Sequence, residues 1–334
     1  MAVDMFYDNW KERLIQSVKI AAAAVAAIAL AGELGLKYSA TAGIITVLSI
    51  RSTKRETLRS AGNRALAFLC AAGISSLCFR ILGYNLRGFA VYLFLFAMLC
   101  LGAGWAEAIA MDSVLVTHFM AEASMAWPIL ANEALLFVIG TFAGILVNLH
   151  LRKKTPEFDR LAAEADSQIQ GILQRMSLWL PREDREEYGP DCFEKLEHAL
   201  EDAKRCAMAN YDNTLLSSDF RELDYVKMRG RQSVILRDIY ESILKIRYLP
   251  EQAVQVAELL GQIERDYHRE NTVEELLKEL EALLLKMKMQ QLPASREEFE
   301  ARAILFHILM QLKSLLELKR DYMAGKAVTV QTGH

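Results

Sequence analysis

The chain has 334 residues, of which 53% are hydrophobic and 24% charged, with a formal net charge of −3 at pH 7. This length is typical of about two domains, and the two halves differ in charge. The first 154 residues carry 14 Lys and Arg against 9 Asp and Glu, whereas the remainder carries 25 against 33. Neither half is basic enough to indicate a nucleic-acid partner. The five cysteines form no C-x-x-C pair, so we expect neither a disulfide framework nor a metal site.

The first half contains a series of apolar segments. Most approach the roughly 20 residues that cross a hydrocarbon core, while the second is short and should pair with the first as a hairpin. Lys11 and Arg13 before an apolar run would also suit a signal peptide, but five further segments favour a retained helix. We predict a transmembrane domain over residues 1–154 with about six spans. The segments lie at about residues 18–36, 38–50, 62–82, 88–104, 107–126 and 129–150.

Basic residues near the segment ends predict the orientation of the spans. Eleven fall on one side and three on the other, and the richer side is expected to be cytoplasmic. The sequence therefore predicts a multi-pass membrane protein with both termini in the cytoplasm. The eleven are Lys11, Arg13, Lys19, Arg51, Lys54, Arg55, Arg59, Arg64, Arg152, Lys153 and Lys154, and the three are Lys37, Arg80 and Arg87.

Small residues in these segments predict close helix packing. Alanines dominate residues 21–31, and Gly140 and Gly144 lie four residues apart in the sixth segment. Such spacing lets helix backbones approach closely, either within one bundle or between protomers. Closed two-fold symmetry is the commonest assembly, so we expect a homodimer surrounded by membrane lipids.

The second half shows the signals of successive helices. Thr155 followed by proline is typical of an N-cap and first helical position, with that helix ending near residue 180. Thr272-x-x-Glu275 and Ser295-x-x-Glu298 match capping boxes. Apolar residues at helical spacing predict about six helices in a soluble cytoplasmic bundle, so the whole chain is expected to be all-α. Two such stripes are Ile235, Ile239, Ile243, Ile246 and Ile304, Leu305, Ile308, Leu309, Leu312, Leu315, Leu316.

The fifth apolar segment carries four ionisable residues. At about 100° per residue, Glu107, His118 and Glu122 share one helix face, and Asp112 points about 140° away. Ionisable groups inside spans are costly and mark functional candidates, so this face is interpreted as the wall of an aqueous path. The alternative is that Glu107 and Glu122 lie at the two interfaces and only reach towards water.

Histidine adds a possible pH dependence, because its ordinary pKa of about 6.5 lies within physiological reach. Protonated His118 would offset its neighbouring carboxylates, so anion efflux is expected to rise as the pH falls. His118 and Glu122 would also place two metal ligands on adjacent turns, but a third ligand at a recognisable spacing is missing from the sequence. No nucleophile and base pair is apparent, so neither an enzyme nor a cofactor is expected.

Two further residues could line the same path. Arg64 follows a basic loop, where it could serve only as a cytoplasmic anchor. Its guanidinium could instead bind a carboxylate with two parallel hydrogen bonds at the mouth of a cavity. Glu133 in the sixth segment could face that cavity or bond a neighbouring helix.

Three stretches resemble the bacterial aromatic acid exporter family, a group within the fusaric-acid-resistance-like superfamily. They are YSATAGIITVLSIRSTKRETLRSAGNRALAFLCAAGIS, EAIAMD and FAGILVNLHLRKK, followed by a helical tail. The family typically has an arginine followed by glycines at the third and seventh positions, where this chain has Ala67 and Ala71 after Arg64. The resemblance covers nearly the whole chain and implies an efflux-type protein of a bacterial inner membrane with a C-terminal cytoplasmic helical domain.

Together these features predict a transporter or channel for small organic anions, including aromatic ones, with a regulatory cytoplasmic domain at residues 155–334. An alternative from another class is a membrane-anchored sensor or assembly module whose cytoplasmic bundle binds a ligand or protein partner. Six segments with titratable groups favour a path, since an anchor needs only one or two. The substrate path is predicted to include Glu107, His118, Glu122, Arg64, Asp112 and Glu133.

Overall fold

A computed structural model describes residues 2–149, 153–184, 191–214, 220–266 and 273–331. Within these residues the chain forms twelve α-helices and no strand, so the all-α prediction is confirmed. It divides into two compact units, Met1–Lys153 with Asp212–Ser217, and Lys154–Tyr211 with Ser218–His334. The first unit contains α1 (Ala2–Glu33), α2 (Ala40–Ser49), α3 (Lys54–Leu82), α4 (Leu86–Ala103), α5 (Ala108–Ala121) and α6 (Trp127–Leu149). The second contains α7 (Thr155–Trp179), α8 (Cys192–Asp212), α9 (Arg221–Leu244), α10 (Gln252–Asp266), α11 (Glu274–Lys288) and α12 (Arg296–Gln331).

Each of the six helices described in the first unit overlaps one of the six predicted apolar segments. Four of them contain stretches long and apolar enough to cross a membrane: Arg13–Glu33, Lys54–Leu82, Leu86–Ala103 and Trp127–Leu149. The other two, α2 and α5, are apolar but have only 10 and 14 residues. The number of spans therefore stays a prediction.

The helix α5 is shorter than the apolar segment from which it was predicted. It ends at Ala121, and two residues later Ala123 adopts a φ of +47°. A residue in this left-handed region cannot continue a right-handed helix. Hydrophobicity continues to Trp127 across this break, which is why the sequence alone suggested a longer helix.

Gly140 and Gly144 bring α6 against α2 within one chain. A Cβ atom added at Gly140 would lie 2.6 Å from the carbonyl oxygen of Ala42 and 2.6 Å from the Cβ of Ile45. A Cβ at Gly144 would lie 2.6 Å from the Cβ of Ser49. Of the two arrangements considered from the sequence, the structure thus places these glycines in packing inside the bundle.

We expect Gly140→Val to destabilise the first unit, because the valine side chain would overlap backbone and side-chain atoms of α2. Overpacking of this kind typically costs about 1–3 kcal/mol. A thermal melt in detergent should show a lower midpoint than the parent. Gly73→Val is the matched control, since a Cβ at Gly73 meets nothing within 4 Å. Equal midpoints for the two variants would contradict this packing.

Two helices of the second unit, α7 and α12, begin close to their predicted positions. The N-cap of α7 is Lys154 and not Thr155 as predicted, so the threonine is the first helical residue and the proline lies in the first turn. The predicted cap at Ser295 is confirmed, because its hydroxyl accepts a hydrogen bond from the Glu298 amide at 3.2 Å. Thr272 of the other predicted capping box lies outside the described residues.

Both predicted apolar stripes of the second unit face its core. Side chains from α7, α8, α10 and α11 also pack into that core, so each of the six helices described in this unit contributes to it. From the stripes, the fully buried side chains are Ile239, Ile243, Leu305, Ile308, Leu309, Leu312, Leu315 and Leu316.

A buried polar cluster interrupts the apolar interior of the second unit. Arg229 is fully buried and forms an ion pair with Asp166 at 2.6 Å. The Tyr225 hydroxyl donates to the same carboxylate, and an Arg229 Nη1 hydrogen bond reaches Gln232 Oε1 at 2.9 Å. The Gln232 amide in turn donates to the Leu315 carbonyl at 2.9 Å. These bonds connect α7, α9 and α12.

Lys319 places a second buried cation near this cluster. Its side chain is almost completely buried, and burial together with the positive charge of Arg229 lowers the pKa of Lys319 to about 7, against an opposing effect of Asp166. The folded state therefore disfavours the ammonium, whereas the unfolded chain keeps it protonated well above pH 7.

We expect the stability of the isolated tail, residues 155–334, to rise as the pH increases from about 7 to about 9. In that window the unfolded state binds more protons at Lys319 than the folded state, with a slope of at most about 1.4 kcal/mol per pH unit. Urea unfolding at several pH values measures this slope. Lys319→Met should reduce it, while the half-buried Lys313→Met on the same helix should not. An unchanged slope in Lys319→Met would contradict the assignment.

Candidate functional site

A polar pocket of about 200 Å³ opens at one end of the first unit. It lies between the first half of α3 and the connection from α4 to α5, where the chain turns at Gly104 with a left-handed φ of +73°. Its lining combines two arginines, two carboxylates, an indole and small polar groups. The lining residues are Glu56, Arg59, Ser60, Asn63, Arg64, Gly104, Trp105, Glu107 and Ala108.

Arg64 forms the inner wall of this pocket and is largely buried. Its Nη1 donates to the Ser49 hydroxyl at 3.3 Å and contacts the Met111 sulfur at 3.8 Å. Among the described residues its buried Nε has no acceptor, and no carboxylate pairs with the guanidinium. Arg64 is therefore a buried cation whose direct partners are a hydroxyl and a thioether.

Glu107 lies at the rim of the pocket with its side chain 53% exposed. It pairs with Arg51, which follows α2, and accepts a hydrogen bond from the Ser60 hydroxyl at 3.2 Å. The charge of Glu107 is thus already balanced by a cation outside the lining. This position also matches the alternative in which Glu107 serves only at the membrane interface.

Asp112 lies about one turn and a half further along α5 and is completely buried, with 0% exposure. Within the described part of the chain, neither carboxylate oxygen accepts a hydrogen bond. Arg64 is the cation that interacts electrostatically with it. The pocket arginine is therefore also the counter-charge of a buried acid.

His118 and Glu133 form a second cluster towards the other end of α5. His118 Nδ1 lies 2.6 Å from Glu133 Oε2, and the Glu133 side chain has 0% exposure. Asn132 Nδ2 donates to the other carboxylate oxygen at 2.9 Å. The Tyr38 ring stacks on His118 with 4.0 Å between the ring centroids. This pair fastens α5 to α6.

Glu122 belongs to the same end of the unit. Its carboxylate accepts hydrogen bonds from Lys37 Nζ at 2.8 Å and from the Tyr38 hydroxyl at 3.1 Å. Asn132 also bonds the Lys37 backbone, accepting from its amide at 2.9 Å. Glu122 therefore ties the end of α5 to the turn between α1 and α2.

Comparison with known proteins assigns both halves of the chain to one family. Residues 14–151 match the family described as aromatic acid exporter family member 1, and residues 156–320 match the aromatic acid exporter C-terminal domain. The chain belongs to the aromatic acid exporter family. Family membership and the apolar helices make it a membrane protein of the transporter class.

Two relatives of this exporter extend the comparison. The uncharacterized protein YqjA of Bacillus subtilis (strain 168) is 27% identical over 316 residues, which cover 93% of this chain and 97% of the relative. A protein chain in a crystal structure from Clostridium difficile 630 has 26% sequence identity to this chain. The match covers 50% of this chain and 98% of the other chain, with a TM-score of 0.45.

The exporter's structure places the sequence-predicted residues at two separate ends of α5. Arg64 and Glu107 line the pocket, Asp112 lies inward from it, and the other three residues join the cluster at the far end. The three residues predicted on one face of the fifth segment each contact a different partner. Glu107 contacts Arg51, His118 contacts Glu133, and Glu122 contacts Lys37. Whether these residues line a substrate path stays a prediction.

Sequence reasoning did not assign Arg59, Asn63 and Trp105 to a common site. The contribution of Trp105 to the pocket depends on the turn at Gly104, which lies about 40 residues from Asn63 in the chain. Ala67 and Ala71, where the family usually has glycine, are fully buried in the core shared with α4 and α5.

Proposed function

We propose that this exporter moves small organic anions, aromatic carboxylates among them, and that the pocket at Arg64 is its cytoplasmic substrate site. The observation that carries the proposal is the pair of arginines in the lining. Among the described residues neither Arg59 nor Arg64 forms an ion pair with a carboxylate. A guanidinium group whose hydrogen-bond donors are not used by a protein carboxylate can bind the carboxylate of a substrate, because its planar group donates two parallel hydrogen bonds.

The rest of the lining supports an aromatic ring attached to that carboxylate. Trp105 offers an indole face and Asn63 an amide, a combination of apolar surface and few polar groups typical of small-molecule sites. A cavity of about 150 Å³ is known to hold benzene, so about 200 Å³ has room for a benzoate-sized anion. The positive charges of Arg59 and Arg64 would then favour an anion over a neutral molecule, and the indole of Trp105 would favour an aromatic ring.

The basic residues around the pocket support a cytoplasmic position. Arg51, Arg55 and Arg59 cluster at this end of the unit, whereas Lys37 and Arg87 belong to the sparsely basic side. Under the positive-inside rule this end faces the cytoplasm. A substrate site open there would collect the anion from the side from which an exporter must take it.

Flux of the full-length protein in proteoliposomes tests this function. Benzoate, benzamide and cyclohexanecarboxylate form a matched set, because the second removes the charge and the third removes the aromatic ring. We expect benzoate to be transported best, cyclohexanecarboxylate less well, and benzamide no faster than across empty liposomes. Equal flux of benzoate and benzamide above that background would overturn anion selectivity, and no flux of any of the three would overturn the pocket assignment.

A further inference from the structure

Asp112 is a buried acid that the structure leaves without a hydrogen-bond donor. Its side chain has 0% exposure, and neither oxygen finds a partner in the described residues. A buried carboxylate without hydrogen bonds is unstable as an anion unless a nearby cation compensates it, and otherwise it takes up a proton. Its protonation state therefore depends on the charges around it.

The groups that face Asp112 come from the helices packed against α5. From α3 comes Arg64, and from α4 come Tyr92 and Cys100, which also interact electrostatically with the carboxyl. On α6, Glu133 is held by His118 at the far end, and at the near end Glu107 is held by Arg51. Burial disfavours a negative charge on Asp112, and Arg64 is the cation of this set that favours it.

A bound organic anion would change the charge that acts on Asp112. It would add one negative charge in the pocket and would engage Arg64, the cation that interacts electrostatically with Asp112. One proton added to Asp112 would offset that negative charge.

We propose that Asp112 takes up one proton when an organic anion binds at Arg64 and releases that proton when the anion leaves. The inference rests on the proposed function of the pocket. The proton comes from water, no covalent bond other than the carboxyl O–H forms or breaks, and the anion keeps its charge. Arg64 couples the two sites, because the same positive charge can stabilise either the Asp112 carboxylate or the carboxylate of the bound substrate.

Such coupling is reciprocal. If the anion increases the proton affinity of Asp112, then a proton on Asp112 increases the anion affinity of the pocket by the same factor. Anion affinity should therefore rise as the pH falls through the range in which Asp112 titrates. An exporter built in this way would load anion and proton together at this site.

Isothermal titration calorimetry on the full-length protein in detergent tests the proposal directly. Benzoate is titrated between about pH 6 and pH 10 in buffers of different ionisation enthalpy, which gives the number of protons taken up per anion. In the parent protein we expect this number to pass through a maximum approaching one. Asp112→Asn should bind benzoate with an affinity independent of pH and with no proton uptake, because asparagine imitates the protonated acid.

Each outcome decides between the two proposals. Benzoate binding by the parent protein without proton uptake at any pH would overturn the role of Asp112 and leave the anion site intact. Unchanged proton uptake in Asp112→Asn would overturn it as well. Absence of benzoate binding in the parent would overturn the proposed function and this inference with it.

A second measurement needs no variant and covers the case in which Asp112→Asn does not fold. Infrared difference spectra of the parent protein on benzoate addition should show the C=O band of a newly protonated carboxyl group, shifted in heavy water. Absence of this band at the pH of maximal proton uptake would overturn the inference. As the matched control, Asp224→Asn makes the same chemical change at an exposed position of α9 and should leave the band and the uptake unchanged.

Discussion

Replacing Arg64 with glutamine should weaken benzoate binding by about ten- to one-hundred-fold. Hydrogen bonds from a charged donor are worth about 1.5–3 kcal/mol, and each 1.4 kcal/mol is a factor of about ten in affinity. Arg64 is the buried guanidinium of the pocket and is not paired with a carboxylate in the described residues. Glutamine keeps a donor and much of the length of the side chain but removes the charge. Titration calorimetry measures the change.

The matched control is Arg87→Gln, an exposed position at the start of α4 and outside the pocket lining. Its affinity should equal that of the parent. Arg64→Lys should give an intermediate result, because lysine keeps the charge and loses the planar fork. If Arg64→Gln and Arg87→Gln bound benzoate equally well, the arginine would be an anchor, as the alternative interpretation of the sequence allows.

The helices were predictable because their signals are local. Apolar segments, helical stripes and the cap at Ser295 depend on residues within a few turns of one another, and the structure bears them out. The end of α5 was not predictable, because it depends on the left-handed backbone at Ala123 and not on a loss of hydrophobicity. Alanine gives no signal for that conformation.

The candidate site was harder to predict, since a helical wheel describes one helix and not what packs against it. The wheel placed Glu107, His118 and Glu122 on one face, but it could not show that Arg51, Glu133 and Lys37 would pair with them. These partners are between 15 and 85 residues away in the chain. A charge that looks unsatisfied in sequence is often satisfied by such distant residues.

Asp112 shows the opposite case. On the wheel it pointed away from the proposed path, yet in the structure it is the carboxylate of α5 that has no hydrogen-bond donor among the described residues. Its environment is set by Arg64 on α3 and Tyr92 on α4, whose positions follow from the packing of three helices. Small residues at Ala67 and Ala71 are part of the core where those helices meet.

A large effect on stability is expected at the buried contact between His118 and Glu133. We expect His118→Leu to destabilise the first unit by about 3 kcal/mol, the upper end of the usual cost of leaving a buried hydrogen-bonding group without its partner. Glu133 would keep its place in the interior with 0% exposure and retain only the hydrogen bond from Asn132. A thermal melt in detergent, at a fixed pH, should show a clearly lower midpoint.

A double variant separates this penalty from simple loss of packing. His118→Leu with Glu133→Leu removes both members of the pair, and such replacements are often close to neutral, so the double variant should melt higher than His118→Leu alone. Glu107→Gln is the control, because its partner Arg51 lies at a rim where the Glu107 side chain is 53% exposed and such pairs contribute about 0–1 kcal/mol. If the double variant were as unstable as the single one, the loss would come from packing around Tyr38 and not from a stranded carboxylate. In that case the contact between His118 and Glu133 would hold α5 to α6 by packing.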